Sequence, residues 1–108
     1  MGVMETAMSL IAGAGDAKSY SLEAISLARE GKFTQAKEIL EKAKEAMVDA
    51  HDIQTGLIRN EFEGKNEEVN LLVVHAQDHL MGSMLMRELA EEFIYLYENL
   101  YELKRERC

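Results

Sequence analysis

The segment His75-Ala76-Gln77-Asp78-His79-Leu80 sets two imidazoles and a carboxylate inside an otherwise apolar helical pattern. Residues three and four apart share a helix face, so His75, Asp78 and His79 point the same way. Polar groups on a buried seam cost several kcal/mol of desolvation, roughly, unless something compensates them. The cluster is therefore a candidate site for proton, metal or phosphoryl chemistry. A neutral imidazole is a nucleophile at physiological pH and forms a labile phosphoramidate, which suits reversible phosphoryl relay. The carboxylate of Asp78 can orient an imidazole, hold a metal or pair with a cation. The ordinary alternative for a histidine in an amphipathic helix is a structural role, and it applies most readily to His79 and to His51.

Three long helices must position this cluster. Gly31 follows Ala28-Arg29-Glu30 and Gly64 follows Glu61-Phe62-Glu63, and a glycine just past a periodic segment stops a helix. Asn66 is a candidate cap for the third helix. The expected helices are about 3–30, 33–62 and 67–105, an all-α antiparallel up-down-up three-helix bundle in a single domain, 1–108. In the second helix, Phe33, Ala36, Ile39, Leu40, Ala43, Met47, Ala50, Gln54, Leu57, Ile58 and Phe62 recur at three and four. In the third, Val69, Leu72, His75, His79, Gly82, Met86, Leu89, Phe93, Leu96 and Leu100 do so. Leu71, Val74, Met81, Leu85 and Leu89 widen that stripe beyond what two partner helices cover, and self-association explains it most cheaply.

If the second hairpin folds about Gly64 and Lys65, Gln54 lies level with His75 and His51 level with Asp78. Ile11 and Gly13 of the first helix then fall near the same layer. Gly13 and Gly15 each cost a helix about 1 kcal/mol relative to alanine. They mark either a close approach or a break, the latter with Asp16 capping a shorter helix.

Composition excludes several classes. A chain of 108 residues with no proline and a formal charge of −8 lacks the clustered Lys and Arg that nucleic acid requires. Arg87, Lys104, Arg105 and Arg107 read as solvated, and the seven methionines as gap-filling core and interface residues. The single cysteine, Cys108, fits a reducing cytoplasm. No apolar run approaches the roughly 20 residues of a membrane span, and the start, Met1 to Leu10, lacks a basic secretory n-region.

The stretch from Val73 to Met81 resembles the signature of the lactose/cellobiose class of enzyme IIA proteins of the bacterial phosphotransferase system (PTS). The resemblance extends over Ile11-Ala12-Gly13-Ala14-Gly15-Asp16-Ala17-Lys18-Ser19 and Ala28-Arg29-Glu30-Gly31-Lys32-Phe33 with Ala36. It continues through Ala50-His51-Asp52-Ile53-Gln54-Thr55. Each piece alone is weak, and together they are specific. Asp16 departs mildly from the asparagine often found there.

The resemblance implies a cytoplasmic three-helix bundle assembling as a homotrimer. It implies that His75 receives a phosphoryl group from the phosphocarrier HPr and passes it to a cysteine of a cognate enzyme IIB. That enzyme serves the membrane component IIC in uptake of a β-linked disaccharide or oligosaccharide. Asp78 matches the aspartate at the trimer axis, where three copies meet and a divalent, Mg-like cation can sit; no organic cofactor is implied. Gln77 and His79, with Gln54 and His51 from the register, are supporting candidates. On this reading the tip of His75 is reachable from solvent and Asp78 is enclosed. Two other classes compete: a helical metal-binding protein using His75, Asp78, His79 and His51 as ligands, and an oligomerisation module with an internal polar layer and no phosphoryl transfer.

Overall fold

A computed structural model describes residues 2–65 and 70–107. Three helices account for nearly all of it: α1 (Val3–Arg29), α2 (Phe33–Phe62) and α3 (Leu71–Arg107). They form a rod of 62 × 21 × 20 Å. Lys37 of α2 meets Glu98 of α3 and Gln54 meets Gln77, so these two helices run antiparallel. Ala14 and Arg29 of α1 meet Ser83 and Tyr101 of α3, so those two run parallel. The up-down-up order is as expected, and α1 packs along both neighbours more fully than α2 and α3 pack along each other.

Both glycine stops operate through backbone geometry. Gly31 has φ +83° and Gly64 φ +71°, values that L side chains resist. At the first turn Gly31 N–H donates to the Ala28 carbonyl and Lys32 N–H to that of Leu27, each at 2.9 Å. Lys65 N–H likewise closes on the Asn60 carbonyl at 2.8 Å. Orphaned carbonyls at both helix ends are thereby satisfied.

The start of α3 differs from expectation. Its first described residue is Leu71, and the cap is Asn70, whose side-chain oxygen accepts from Val73 N–H at 3.0 Å. Asn66 and Val69 lie outside the described residues. At the other end α3 runs two residues beyond the expected 105.

Helix α1 is unbroken through Gly13 and Gly15, so the reading with a break and an Asp16 cap is overturned. A Cβ on Gly13 would lie 3.1 Å from the Ala50 Cβ and 3.2 Å from the Ala46 carbonyl oxygen, whereas one on Gly15 would meet nothing within 4 Å. Gly13 is thus a crossing point of α1 and α2; Gly15 is not.

Small residues build the core. Ala7, Ala14, Ala17, Ala24, Ala28, Ala36, Ala43, Ala76 and Ala90 are fully buried, with Leu10 and Leu80 the largest apolar side chains enclosed completely. Alanine faces let helix axes approach to the short end of the usual 8–10 Å, and each enclosed leucine contributes about 1.5–3 kcal/mol. One layer joins Leu10, Met47, Ala50, Ala76 and Leu80, with Ile11 against it. A second joins Ala24, Ala28, Leu40, Ala90 and Ile94 at the other end.

The core stripe of α3 is not the one its larger residues trace. Ala76, Leu80, Ser83, Ala90 and Ile94 face inward, while Leu89, Phe93, Leu96 and Leu100 are exposed. His75, His79 and Gly82 are exposed as well. Periodicity weighted by side-chain size follows the bulky stripe, but close packing against α1 demands the small one. Ile58 and Phe62, expected inside, are also outside, Phe62 at 90% exposure. Met4, Met8 and Met81 are exposed too, so only some methionines fill gaps.

Candidate functional site

The site lies in the first turns of α3, where its N-terminal half faces the C-terminal half of α2. Asn70 caps the helix and sets its phase. Ala76 and Leu80 then bury their side chains against Met47, Ala50 and Leu10. Two anchored core residues at i and i+4 fix the rotation of the helix, and His75 and His79, each one position earlier, are carried outward together.

The two imidazoles meet. His75 Nε2 and His79 Nε2 lie 2.9 Å apart, the rings edge-on with centroids 4.3 Å apart and planes at 74°. One nitrogen donates and the other accepts. Both side chains are solvent-exposed, with the ring-tip nitrogen of His75 set against that of His79.

Beside this pair, Gln54 of α2 donates its side-chain N–H to the Gln77 amide oxygen at 2.8 Å. Its amide nitrogen also lies 3.4 Å from the Met81 sulfur. The register is two positions further along α3 than the hairpin arithmetic placed it, since Gln54 meets Gln77 rather than His75. The bond ties α2 to α3 at the level of the histidines and holds Gln77 half-buried.

Asp78 and His51 do not join this network. Within one chain Asp78 is exposed, so the enclosure expected for it is not supplied by the chain's own three helices. The reason is its phase: it lies two positions from both Ala76 and Leu80, on the face away from α1. His51 is exposed on α2, where its carbonyl accepts the Thr55 hydroxyl at 3.0 Å. Among the described residues no three His, Cys, Asp or Glu side chains are gathered to hold a metal. A metal site of His75, Asp78, His79 and His51 within one chain is thereby overturned, because His51 and Asp78 lie outside the contact that joins the other two.

Sequence reasoning missed two contacts that steady the site. Met81 touches Gln54, and Ser83 donates its hydroxyl to the Ala14 carbonyl at 2.7 Å in a buried position. The second was signalled by spacing: Ser83 continues the three-and-four series of Ala76 and Leu80. Arg87, expected to be solvated, instead lies about a quarter exposed against Glu88 and Glu91.

Residues 5–98 match the family described as PTS system, Lactose/Cellobiose specific IIA subunit. The chain belongs to that family. It is 43% identical over 93 residues to the lichenan-specific phosphotransferase enzyme IIA component of Bacillus subtilis (strain 168), covering 86% of this chain and 84% of that protein. To the N,N'-diacetylchitobiose-specific EIIA component of Escherichia coli (strain K12) it is 43% identical over 96 residues, covering 89% and 83%. Among solved structures, the PTS cellobiose-specific enzyme IIA from Bacillus anthracis superposes with a TM-score of 0.89 at 43% identity, covering 94% of each chain. The IIA(chitobiose)–HPr complex of Escherichia coli matches with a TM-score of 0.80 at 40% identity, covering 94% of this chain and 98% of that one. This IIA-family chain is thus a phosphotransferase component, and none of its described helices is long and apolar enough to cross a membrane.

Proposed function

We propose that the chain is the cytoplasmic phosphocarrier of a sugar phosphotransferase system. His75 takes a phosphoryl group from phosphorylated HPr and hands it to a cysteine of a cognate enzyme IIB, which serves a membrane IIC in uptake of a β-linked disaccharide or oligosaccharide. The observation that carries this reading is an exposed imidazole, His75, held by a packed helix in a family with a solved IIA–HPr complex. Phosphoryl transfer asks for positioning and charge stabilisation more than covalent help from the protein. Docking uses the exposed surface around His75 that the contact between copies, described below, leaves open. Such contacts are modest in area, because a relay must dissociate after each transfer.

We further propose that three copies meet along the outer face of α3. Leu71, Val74, Asp78, Met81, Leu85, Leu89, Phe93, Leu96, Leu100 and Leu103 follow one another at about the helical repeat. Leu71 alone is 83% exposed, and Leu85 and Leu103 exceed half. A face this long and apolar on an alanine-cored rod calls for cover. Asp78 is the one acid in the series, so a threefold contact gathers three carboxylates. Oxygen donors of this kind suit a hard divalent cation, which when bound would neutralise their repulsion. One chain supplies one such carboxylate.

The test is relay from radiolabelled phosphoenolpyruvate through enzyme I and HPr, comparing wild type with His75→Ala. Label is expected on the wild type and absent from the variant. Label retained by the variant refutes His75 as acceptor. No label on the wild type supports an oligomerisation module instead.

A further inference from the structure

We propose that the far end of the rod holds a second binding site, a basic, tyrosine-walled pocket that takes a small phosphate monoester with a ring-shaped body. The site is independent of the role proposed for His75. It lies roughly 35–40 Å from that residue along α3, at the helical rise per residue.

The pocket, about 530 Å³ in volume, opens where the last turns of α1 and α3 lie side by side, and Arg29, Tyr97, Tyr101, Lys104 and Arg107 line it. That volume is within the range of small-molecule sites. The fold sets two of its walls. Tyr101 stacks edge-on against Phe33, with ring centroids 5.2 Å apart. Its ring also lies over Gly31 so closely that a Cβ there would come within 2.7 Å. Tyr97, one turn earlier, packs against the second core layer beside Ala90 and Ile94.

Tyr97, Tyr101 and Lys104 recur at four and three, so they share the flank of α3 beside Arg29 of α1. Leu100 and Leu103 line the other side and belong to the stripe proposed to join copies. Association through that stripe covers this border and leaves the flank toward α1 open.

Charge decides the class of occupant. In a chain of net charge −8, two guanidiniums and an ammonium line one pocket. The neighbouring acids are engaged elsewhere: Glu30 by Lys32 at 3.5 Å, Glu98 by Lys37 at 3.1 Å and Glu102 by Arg105 at 3.6 Å. Among the described residues no ion pair takes up Arg29, Lys104 or Arg107. Part of their charge answers the two helix C-termini, each worth about half a negative charge. Three cations exceed that, so the pocket keeps a positive excess. A carboxylate brings a single charge, whereas a phosphate monoester brings about −1.5 to −2 at neutral pH, on oxygens that suit guanidinium forks. The tyrosine rings beside the cations fit the face of a ring rather than a bare ion, and their hydroxyls can bond its substituents. Sugar phosphates and nucleoside monophosphates share this chemistry.

The experiment titrates full-length, 15N-labelled protein with glucose 6-phosphate, adenosine monophosphate and inorganic phosphate at constant ionic strength. Calorimetry gives affinities, and 1H–15N spectra locate the site. The proteins compared are wild type, the double variant Arg29→Gln/Lys104→Gln and Tyr97→Leu. Arg29 and Lys104 are exposed, so their replacement leaves the fold in place, which circular dichroism checks. At least one of the two esters is expected to shift the amides of Arg29, Tyr97, Tyr101 and Lys104 saturably, and the tighter of the two tells sugar from nucleoside. The double variant should bind that ester several-fold more weakly. Tyr97→Leu should lose part of the affinity for the ester without altering the weaker response to inorganic phosphate. Absence of a saturable shift with both esters overturns the proposal. So does inorganic phosphate binding as tightly as either ester, or ester affinity that survives intact in the double variant.

Discussion

Ser83 of α3 donates its hydroxyl to the Ala14 carbonyl of α1 at 2.7 Å, sealed from solvent. A backbone carbonyl inside a helix already accepts one bond, so the serine occupies its second lone pair and couples two parallel helices at a fixed axial offset. That offset sets the level at which the first turns of α3, with His75 and His79, stand beside α1.

Ser83→Ala is expected to lower stability by about 1 kcal/mol, the net worth of such a bond, because the carbonyl keeps its helical partner. Ser83→Val should cost more, since the added methyl must displace packed alanines. Urea titration followed by circular dichroism measures both. Equal midpoints for the wild type and both variants would refute the coupling.

Gly13 and Gly15 are expected to answer differently to alanine. Gly15→Ala gains helix propensity in open space and should stabilise by up to about 1 kcal/mol. Gly13→Ala sets a methyl 3.2 Å from the rigid Ala46 carbonyl oxygen, so the propensity gain is offset by separation of α1 from α2. Thermal midpoints should rise for the first and stay or fall for the second; equal rises would remove the crossing point.

At the opposite end of the rod, Tyr101 lies over the first turn. A Cβ on Gly31 would come within 2.7 Å of its ring, at a φ of +83°. Tyr101 also stacks edge-on against Phe33 at 5.2 Å. Gly31→Ala therefore meets both steric contact and backbone strain, and is expected to cost roughly 1–3 kcal/mol. Pairing it with Tyr101→Ala should leave the backbone part alone. A double-mutant cycle on unfolding free energies checks this through a non-zero coupling term.

Asp78→Leu is expected to strengthen the association of three copies when no metal is added, because clustered carboxylates without a counter-charge oppose it. Sedimentation equilibrium reads the outcome directly. Weaker association of the variant under those conditions would remove Asp78 from the contact.

Gln54→Leu should free Gln77 from its bond to α2 and leave its half-buried amide oxygen without that donor. The expected loss is about 1 kcal/mol, with a slower phosphoryl relay if Gln77 or His79 loses its place. Single-turnover transfer from phosphorylated HPr compares the two proteins, and an unchanged rate would confine Gln54 to a structural role.

Local chemistry made much of this legible from the chain alone. Gly31 and Gly64 ended their helices because only glycine relaxes at their dihedrals, and α2 begins and ends at Phe33 and Phe62 as expected. The spacing of His75 and His79 sufficed to bring them onto one face, since i and i+4 are neighbours on any α-helix. What needed the tertiary structure was phase and burial. Sequence periodicity cannot say which of two stripes on α3 faces inward; the alanine-lined groove of α1 admits Ala76, Leu80 and Ser83 and leaves the bulky stripe, with both histidines, in the open. Likewise the partner of Gln54 turned on how far α2 and α3 slide past each other. Packing of side chains across the whole layer decides that slide, and no local residue pattern records it.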